Sequence, residues 1–196
     1  MDYYSYGEKE INYLKSKDQK LGAVIDKIDH IHREVMPDLF TALVRVIVDQ
    51  QISAKAAETI WQRILTKFEE ITPQKLSEAD PKEIQTVGLT MKKAVNIHKT
   101  AEKVLSRELD LEALQYKTDE EIYRELSKLN GIGLWTAEMF MIFSMQRPNI
   151  ISYGDLAIHR GLRMLYNHRK IDKKLFEKYK RRYTPYATVA SLYLWA

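Results

Sequence analysis

The chain has 196 residues, 45% hydrophobic and 30% charged and none of them cysteine, which suits one domain or two joined lobes and excludes disulfides, zinc–thiolate sites, a thiol nucleophile and a cysteine-held iron–sulfur cluster. No apolar run approaches the ~20 residues of a transmembrane helix, and the start MDYYSYGEKE lacks the basic opening and apolar stretch of a secretory signal, so a cytoplasmic protein without membrane contact is expected. The net charge of +4 is uneven: residues 147–196 hold 11 Lys/Arg against 3 Asp/Glu, a net of +8 that suits a polyanion as well as a solvated face, while residues 1–146 have a net of −4.

The elements read as helices nearly throughout. Over 38–51, Phe40, Leu43, Val44, Ile47 and Val48 recur at helical spacing after the start signal Pro37-Asp38. Ser53 can cap a helix to about Phe68 with Ile60, Ile64 and Leu65 inward. Pro73 and Pro81 open short helices. Thr90 can cap a helix with Met91, Ala94, Val95, His98, Ala101 and Leu105 on one side, and Thr118 with Glu121 forms a capping box. No segment alternates with period two between turns, so the fold is read as all-α.

Residues 126–143, LSKLNGIGLWTAEMFMIF, place one helix end near Leu129 and the next start near Leu134. Gly131 and Gly133 permit positive φ and strip side chains from one face, leaving backbone N–H groups at a helix N-terminus for an anion. Ile132 can plug the gap between the helices, and Thr136 can offer its hydroxyl to a phosphate. A plain αα-hairpin is the simpler reading of Gly-x-Gly alone; the full pattern looks like a helix-hairpin-helix motif, which grips DNA backbone without reading sequence. In known examples a monovalent cation sits on the hairpin carbonyls.

Next comes RPNIISYGDLAIHRGL, 147–162, where Asp155 follows Gly154 and precedes apolar Leu156, Ile158, Leu162 and Leu165. Asp at a helix start is commonly just an N-cap. His159 and Arg160 follow it, facing phosphate or solvent, and His30 and His32, two apart, would not share a helix face.

Hairpin, loop and Asp together resemble the helix-hairpin-helix-GPD superfamily of base-excision DNA glycosylases, and within it the 3-methyladenine DNA glycosylase II type. VDQQIS (48–53), GLTMKKA (88–94), LNGIGLWTA and YTPYATVASLYLW (183–195) resemble its segments in order. The resemblance implies Asp155 as catalytic carboxylate, Gln51 as the wedge that fills the hole left by a flipped base, Trp195, Trp135 and Met139 as base pocket, and Gly131, Ile132, Gly133 and Thr136 as the backbone grip. Trp135 stands where strand-cutting relatives carry a Schiff-base Lys, which implies a monofunctional enzyme using water.

Ser152 stands where Pro is frequent, Asp49 where a small residue is, and Ala187 where a polar residue that can meet phosphate is. The expectation is two helical lobes, 37–146 with the hairpin and 1–36 plus 147–196 with Asp155, flanking a DNA-binding cleft. The expected activity is hydrolytic release of alkylated purines from double-stranded DNA by a monomer with no cofactor and no catalytic metal. Excision of hypoxanthine, uracil or mismatched bases, and a noncatalytic DNA-binding protein, are the alternatives.

Overall fold

The computed structural model describes residues 2–196. Twelve α-helices follow one another among them: α1 (Glu8–Lys17), α2 (Gln19–Ile28), α3 (Leu39–Asp49), α4 (Ala54–Phe68), α5 (Pro73–Glu78), α6 (Pro81–Gln85), α7 (Met91–Leu105), α8 (Asp119–Leu126), α9 (Leu134–Phe143), α10 (Leu156–Tyr166), α11 (Lys173–Tyr183) and α12 (Ala187–Trp195). The sequence gives no hint of the one short antiparallel pair, β1 (Asp2–Tyr3) with β2 (Glu34–Val35). Two residues per strand are too few to show an alternation. No helix among the described residues is long and apolar enough to cross a membrane.

The caps form as the residue types dictate. Asp38, Ser53, Thr90, Thr118 and Asp155 each accept a backbone N–H from the first turn that follows. The inward faces differ in three places. In α4 the buried side chains are Ala57, Trp61, Ile64 and Phe68, so Trp61 rather than Ile60 or Leu65 anchors the helix. In α7, Met91 and Leu105 are exposed while Asn96, Ile97 and Thr100 are buried. In α10, Leu156 is 86% exposed, and Ile158 and Leu162 carry the packing. A stripe of apolar residues wider than the buried arc leaves the helix rotation to its neighbours.

The chain divides into two compact units, Met36–Phe140 and the residues up to Val35 with Met141–Ala196, the division falling inside α9. In the first, α7 packs against α5, α6 and α3, and α3 against α4. Phe40, Leu43, Val44, Ile47 and Val48 of α3 are all buried, and so are Ala42 and Val46. In the second, α12 packs against α2, α10 and α11. Eight residues of α12, Ala187 to Leu194, are buried in succession, which is why no amphipathic period marks it.

Candidate active site

Three of the sequence segments meet in the first unit. At the hairpin, Gly131 adopts φ +84°, and a Cβ there would lie 2.3 Å from the amide nitrogen of Asn96 on α7. Only glycine satisfies both conditions. Gly133 differs: it is not among the positive-φ residues, and a Cβ on it would meet nothing within 4 Å. Its contribution is open space beside the start of α9. Ile132 is buried, as a plug between α8 and α9 requires.

Gln50, which sequence reasoning passed over in favour of its neighbour, ties the hairpin to α3. Its Nε2 donates to the Gly131 carbonyl at 2.9 Å and to Thr136 Oγ1 at 3.0 Å. Thr136 is 4% exposed and its Oγ1 accepts from Gln50, so the side chain is built into the hairpin and keeps its hydroxyl proton to donate. Lys93, from the GLTMKKA segment, donates through Nζ to the Val48 carbonyl at 2.8 Å and the Gln50 carbonyl at 2.6 Å. A cation on the last carbonyls of a helix both caps it and complements its dipole. Burial lowers the Lys93 pKa, and nearby Asp49 partly offsets this.

Gln51 follows at φ +54° with its side chain exposed. A residue with a Cβ held in the left-handed region is strained and is kept there by its surroundings. The charge of Asp49 is met by Arg45 at 3.0 Å, which also pairs with Glu58, so Asp49 adds no isolated negative charge beside Gln51. For a monovalent cation the hairpin offers main-chain oxygens. The Gly131 carbonyl accepts from Gln50, and the Leu129 carbonyl accepts the Ile132 N–H at 3.3 Å. Each oxygen has a second lone pair, and an oxygen-only donor set suits a hard ion.

The second unit holds Asp155 and Trp195 together. Asp155 Oδ1 accepts the N–H groups of Ala157 and Ile158, both at 2.9 Å, and the indole Nε1–H of Trp195 at 3.2 Å. The carboxylate is therefore an N-cap and also the partner of an aromatic ring 40 residues away. Gly161 permits the approach: a Cβ on it would lie 2.3 Å from the Leu194 carbonyl, so only glycine lets α10 pass this close to the end of α12.

The start of the loop before Asp155 is tied to α12 by side-chain hydrogen bonds without the frequent proline. Thr188 Oγ1 accepts the Ile150 N–H at 2.9 Å and donates to the Arg147 carbonyl, and Ser191 Oγ donates to the Ile150 carbonyl at 3.2 Å. His159 Nε2 lies 2.7 Å from the Tyr153 carbonyl, which gives that imidazole a structural contact near the loop's end. Ser152 is completely buried. Ala187 is buried too, so the expectation of a lost phosphate contact is corrected: a side chain at this position points into the core.

Two further residues join this group. Phe143 lies 5.6 Å from Trp195, ring centre to ring centre, tilted by 32°, and the Arg33 guanidinium carbon is 4.9 Å from the centre of the Phe143 ring. Phe143 was findable, because Trp135, Met139 and Phe143 repeat at i, i+4 and i+8 along α9. Arg33 was not, since nothing local marks it. Trp135 is half-buried and Met139 is 5% exposed.

A model of the HhH-GPD superfamily of base excision DNA repair proteins matches residues 44–185. DNA-3-methyladenine glycosylase 1 of Schizosaccharomyces pombe is 30% identical over 161 residues, spanning 80% of this chain and 71% of its own. A crystal structure of DNA-3-methyladenine glycosidase from Bacillus halodurans is 33% identical with a TM-score of 0.84, covering 100% of this chain and 91% of that one. An S. pombe 3-methyladenine DNA glycosylase in complex with abasic DNA has a TM-score of 0.87 at 27% identity, covering 95% of each chain.

Proposed function

This chain belongs to the HhH-GPD superfamily of base excision DNA repair proteins, and we propose that within it the protein is a monofunctional DNA glycosylase that hydrolyses the N-glycosidic bond of alkylated purines, 3-methyladenine above all, in double-stranded DNA. The observation that carries this reading is the pairing of Asp155 with Trp195: a carboxylate fixed by three donors, one of them the N–H of an aromatic ring.

Breaking the bond builds positive charge on the deoxyribose. A fixed carboxylate stabilises that charge and orients or deprotonates the attacking water. A ring-alkylated purine already carries positive charge and leaves readily, so no second carboxylic acid is required. Water adds to the sugar, the purine departs with the bonding electron pair, and an abasic site remains. Trp135 offers no amine for a Schiff base, which supports hydrolysis without strand cleavage.

The base must leave the stack to react, at a cost of a few kcal/mol. Gln51, exposed on a strained turn, is assigned the vacated space. Trp195, Trp135 and Met139 are assigned the base, with stacking worth roughly 1–3 kcal/mol per aromatic contact. Gly131, Ile132 and Gly133 shape the backbone grip, and Thr136 and Gln50 hold it. A monovalent cation on the Leu129 and Gly131 carbonyls would add positive charge toward a phosphate. One copy of the chain supplies every residue used, so a monomer suffices.

The test is single-turnover base release from duplexes carrying 3-methyladenine or 7-methylguanine, with wild type and Asp155→Asn. Asn retains the cap oxygen but not the charge. Release is expected to fall by at least about a hundredfold, a loss of the size seen when an electrostatic stabiliser is removed, with duplex binding retained. Equal release by the two proteins would overturn the role of Asp155, and a panel with hypoxanthine, uracil and mismatches would expose a different preference.

A further inference from the structure

Lys92 and Lys93 are neighbours on α7 and face different ways. Lys92 is exposed, whereas Lys93 is half-buried. The Lys93 ammonium donates to the carbonyls of Val48 and Gln50, at 2.8 Å and 2.6 Å. The Gln50 carbonyl belongs to the same planar peptide unit as the Gln51 nitrogen, and Gln51 stands at φ +54°. The Gln50 side chain ties the same turn to the hairpin, through the Gly131 carbonyl and Thr136 Oγ1. One helical turn along α7 from Lys93, Asn96 is buried against the hairpin, where a Cβ on Gly131 would meet its amide nitrogen.

We propose that Lys93 is a positioning residue for the wedge: it holds the peptide unit before Gln51 in the orientation that presents this side chain to the DNA, and it acts on base release only through Gln51. This inference rests on the assignment of Gln51 to the space that a flipped base vacates.

A residue with a Cβ leaves the left-handed region unless its neighbours hold it there. No helix holds this peptide unit, because α3 ends at Asp49 and α4 begins at Ala54. Lys93 supplies the restraint as a charge-assisted clamp on two carbonyl oxygens, one on each side of Asp49. Two of the three ammonium donors are then committed to main chain, which suits a clamp better than a phosphate contact. A wedge ordered in advance adds nothing to the cost of unstacking the base, whereas a loose one must be ordered while the base leaves. Lys93 and Asn96, three residues apart and so on one side of α7, back the wedge turn and the hairpin together. The part of the protein that fills the stack is thereby fixed relative to the part assigned to the phosphates.

The experiment is a double-mutant cycle on single-turnover release of 7-methylguanine, paired with cytosine or mismatched with thymine. It uses wild type, Gln51→Ala, Lys93→Met and the double variant, with thermal melting to show that each is folded. On the paired lesion each single change is expected to slow release about tenfold, the effect of losing a hydrogen bond to a charged group. The double variant should lie within about threefold of the slower single variant, because both changes remove one function. On the mismatched lesion, whose base leaves the stack more readily, each loss should shrink to less than about threefold. Losses that multiply to about a hundredfold in the double variant would overturn the proposal and make Lys93 an independent contact. So would a folded Lys93→Met that releases the paired lesion at the wild-type rate, and so would equal losses on the paired and mismatched lesions. If Lys93→Met does not fold, Lys93→Gln, which keeps a neutral donor, enters the same cycle with an expected loss of about threefold to fivefold, and the same results overturn the proposal. A wild-type rate in Gln51→Ala would instead overturn the wedge assignment. A wild type that releases neither 7-methylguanine nor 3-methyladenine would overturn the glycosylase reading itself.

Discussion

A carboxylate that faces a developing positive charge is useful only in the orientation its neighbours hold. For Asp155, two of the three donors on Oδ1 are backbone amides that come with the helix start, and the third is the indole of Trp195. On the proposed reading Trp195 therefore has two separable functions, a ring for the base and an N–H for the carboxylate. Trp195→Phe keeps an aromatic ring against Phe143 and deletes the donor. A hydrogen bond to a charged group is worth about 1.5–3 kcal/mol, so the chemical step is expected to slow about tenfold to a hundredfold with KM little changed. Trp195→Ala should raise KM as well. Single-turnover release at saturating enzyme separates the two, and an undiminished rate in the Phe variant would leave Trp195 as a stacking wall alone. Asp155 is legible in the sequence as an N-cap because that signal is local, Gly before it and a helix after it, whereas its catalytic role comes only through the resemblance of the hairpin, loop and Asp together. Gln50 is not legible. Its value lies in reaching Gly131, 81 residues on, and the choice of which glutamine turns outward is made by the positive φ of Gln51, which two adjacent glutamines do not reveal.

At the scale of elements, helix starts are readable and helix faces only partly so. A cap needs one residue type at one position, which Asp38, Ser53, Thr90 and Thr118 supply. A face depends on what arrives opposite, as exposed Leu156 and buried Asn96 illustrate. Gly161 is the sharpest case: within a helix it reads as a weak position, yet it sets the approach of α10 to the Leu194 carbonyl and so the distance from Asp155 to Trp195. Gly161→Ala improves helix propensity by about 1 kcal/mol. Overpacking against backbone should outweigh that, for a net loss of about 1–2 kcal/mol. Thermal melting measures it, and base release below the melting range should fall further than the lost stability explains, because the residue after Leu194 is Trp195.

Asp18 joins three elements. It caps α2 through the Leu21 N–H at 3.0 Å, accepts from Tyr166 of α10 at 2.5 Å and pairs with Arg182 of α11. Burial pushes its pKa up, but the hydrogen bonds from Tyr166, Leu21 and Arg182 outweigh burial and hold the carboxyl below its usual value. A folded pKa below the unfolded one means that the contribution is complete above the unfolded value, near pH 4, and is lost as pH falls through the folded value. Asp18→Asn should therefore cost about 1–3 kcal/mol at pH 7. The gap to wild type should narrow below about pH 4. Urea midpoints at pH 7 and pH 3 measure both, and a constant gap would contradict the assignment.

For the whole molecule, charge is partitioned by unit. The residues up to Val35 with Met141–Ala196 hold 17 Lys/Arg against 10 Asp/Glu, a net of +7, while Met36–Phe140 holds 14 against 17, a net of −3. On the proposed reading, the hairpin of the unit with the negative balance grips phosphate with amide dipoles, and the cationic field comes from the basic residues of the other unit. The two modes respond differently to salt, because only neutralisation of phosphates by side-chain cations releases condensed counterions. On α11, Lys173, Lys174 and Lys178 are exposed and make no ion pair among the described residues. Changing all three to Gln should lower the slope of log affinity against log salt by about two to three, close to 0.9 for each lost phosphate contact. The matched change of exposed Lys82, Lys92 and Lys99, in the unit of net −3, should move it by less than about 0.5 on the same relation. Titrations of a lesion-bearing duplex from 50 to 200 mM salt, roughly the range over which such slopes are read, decide the matter. Equal slopes for both triple variants would make the basic α11 face a solvated surface.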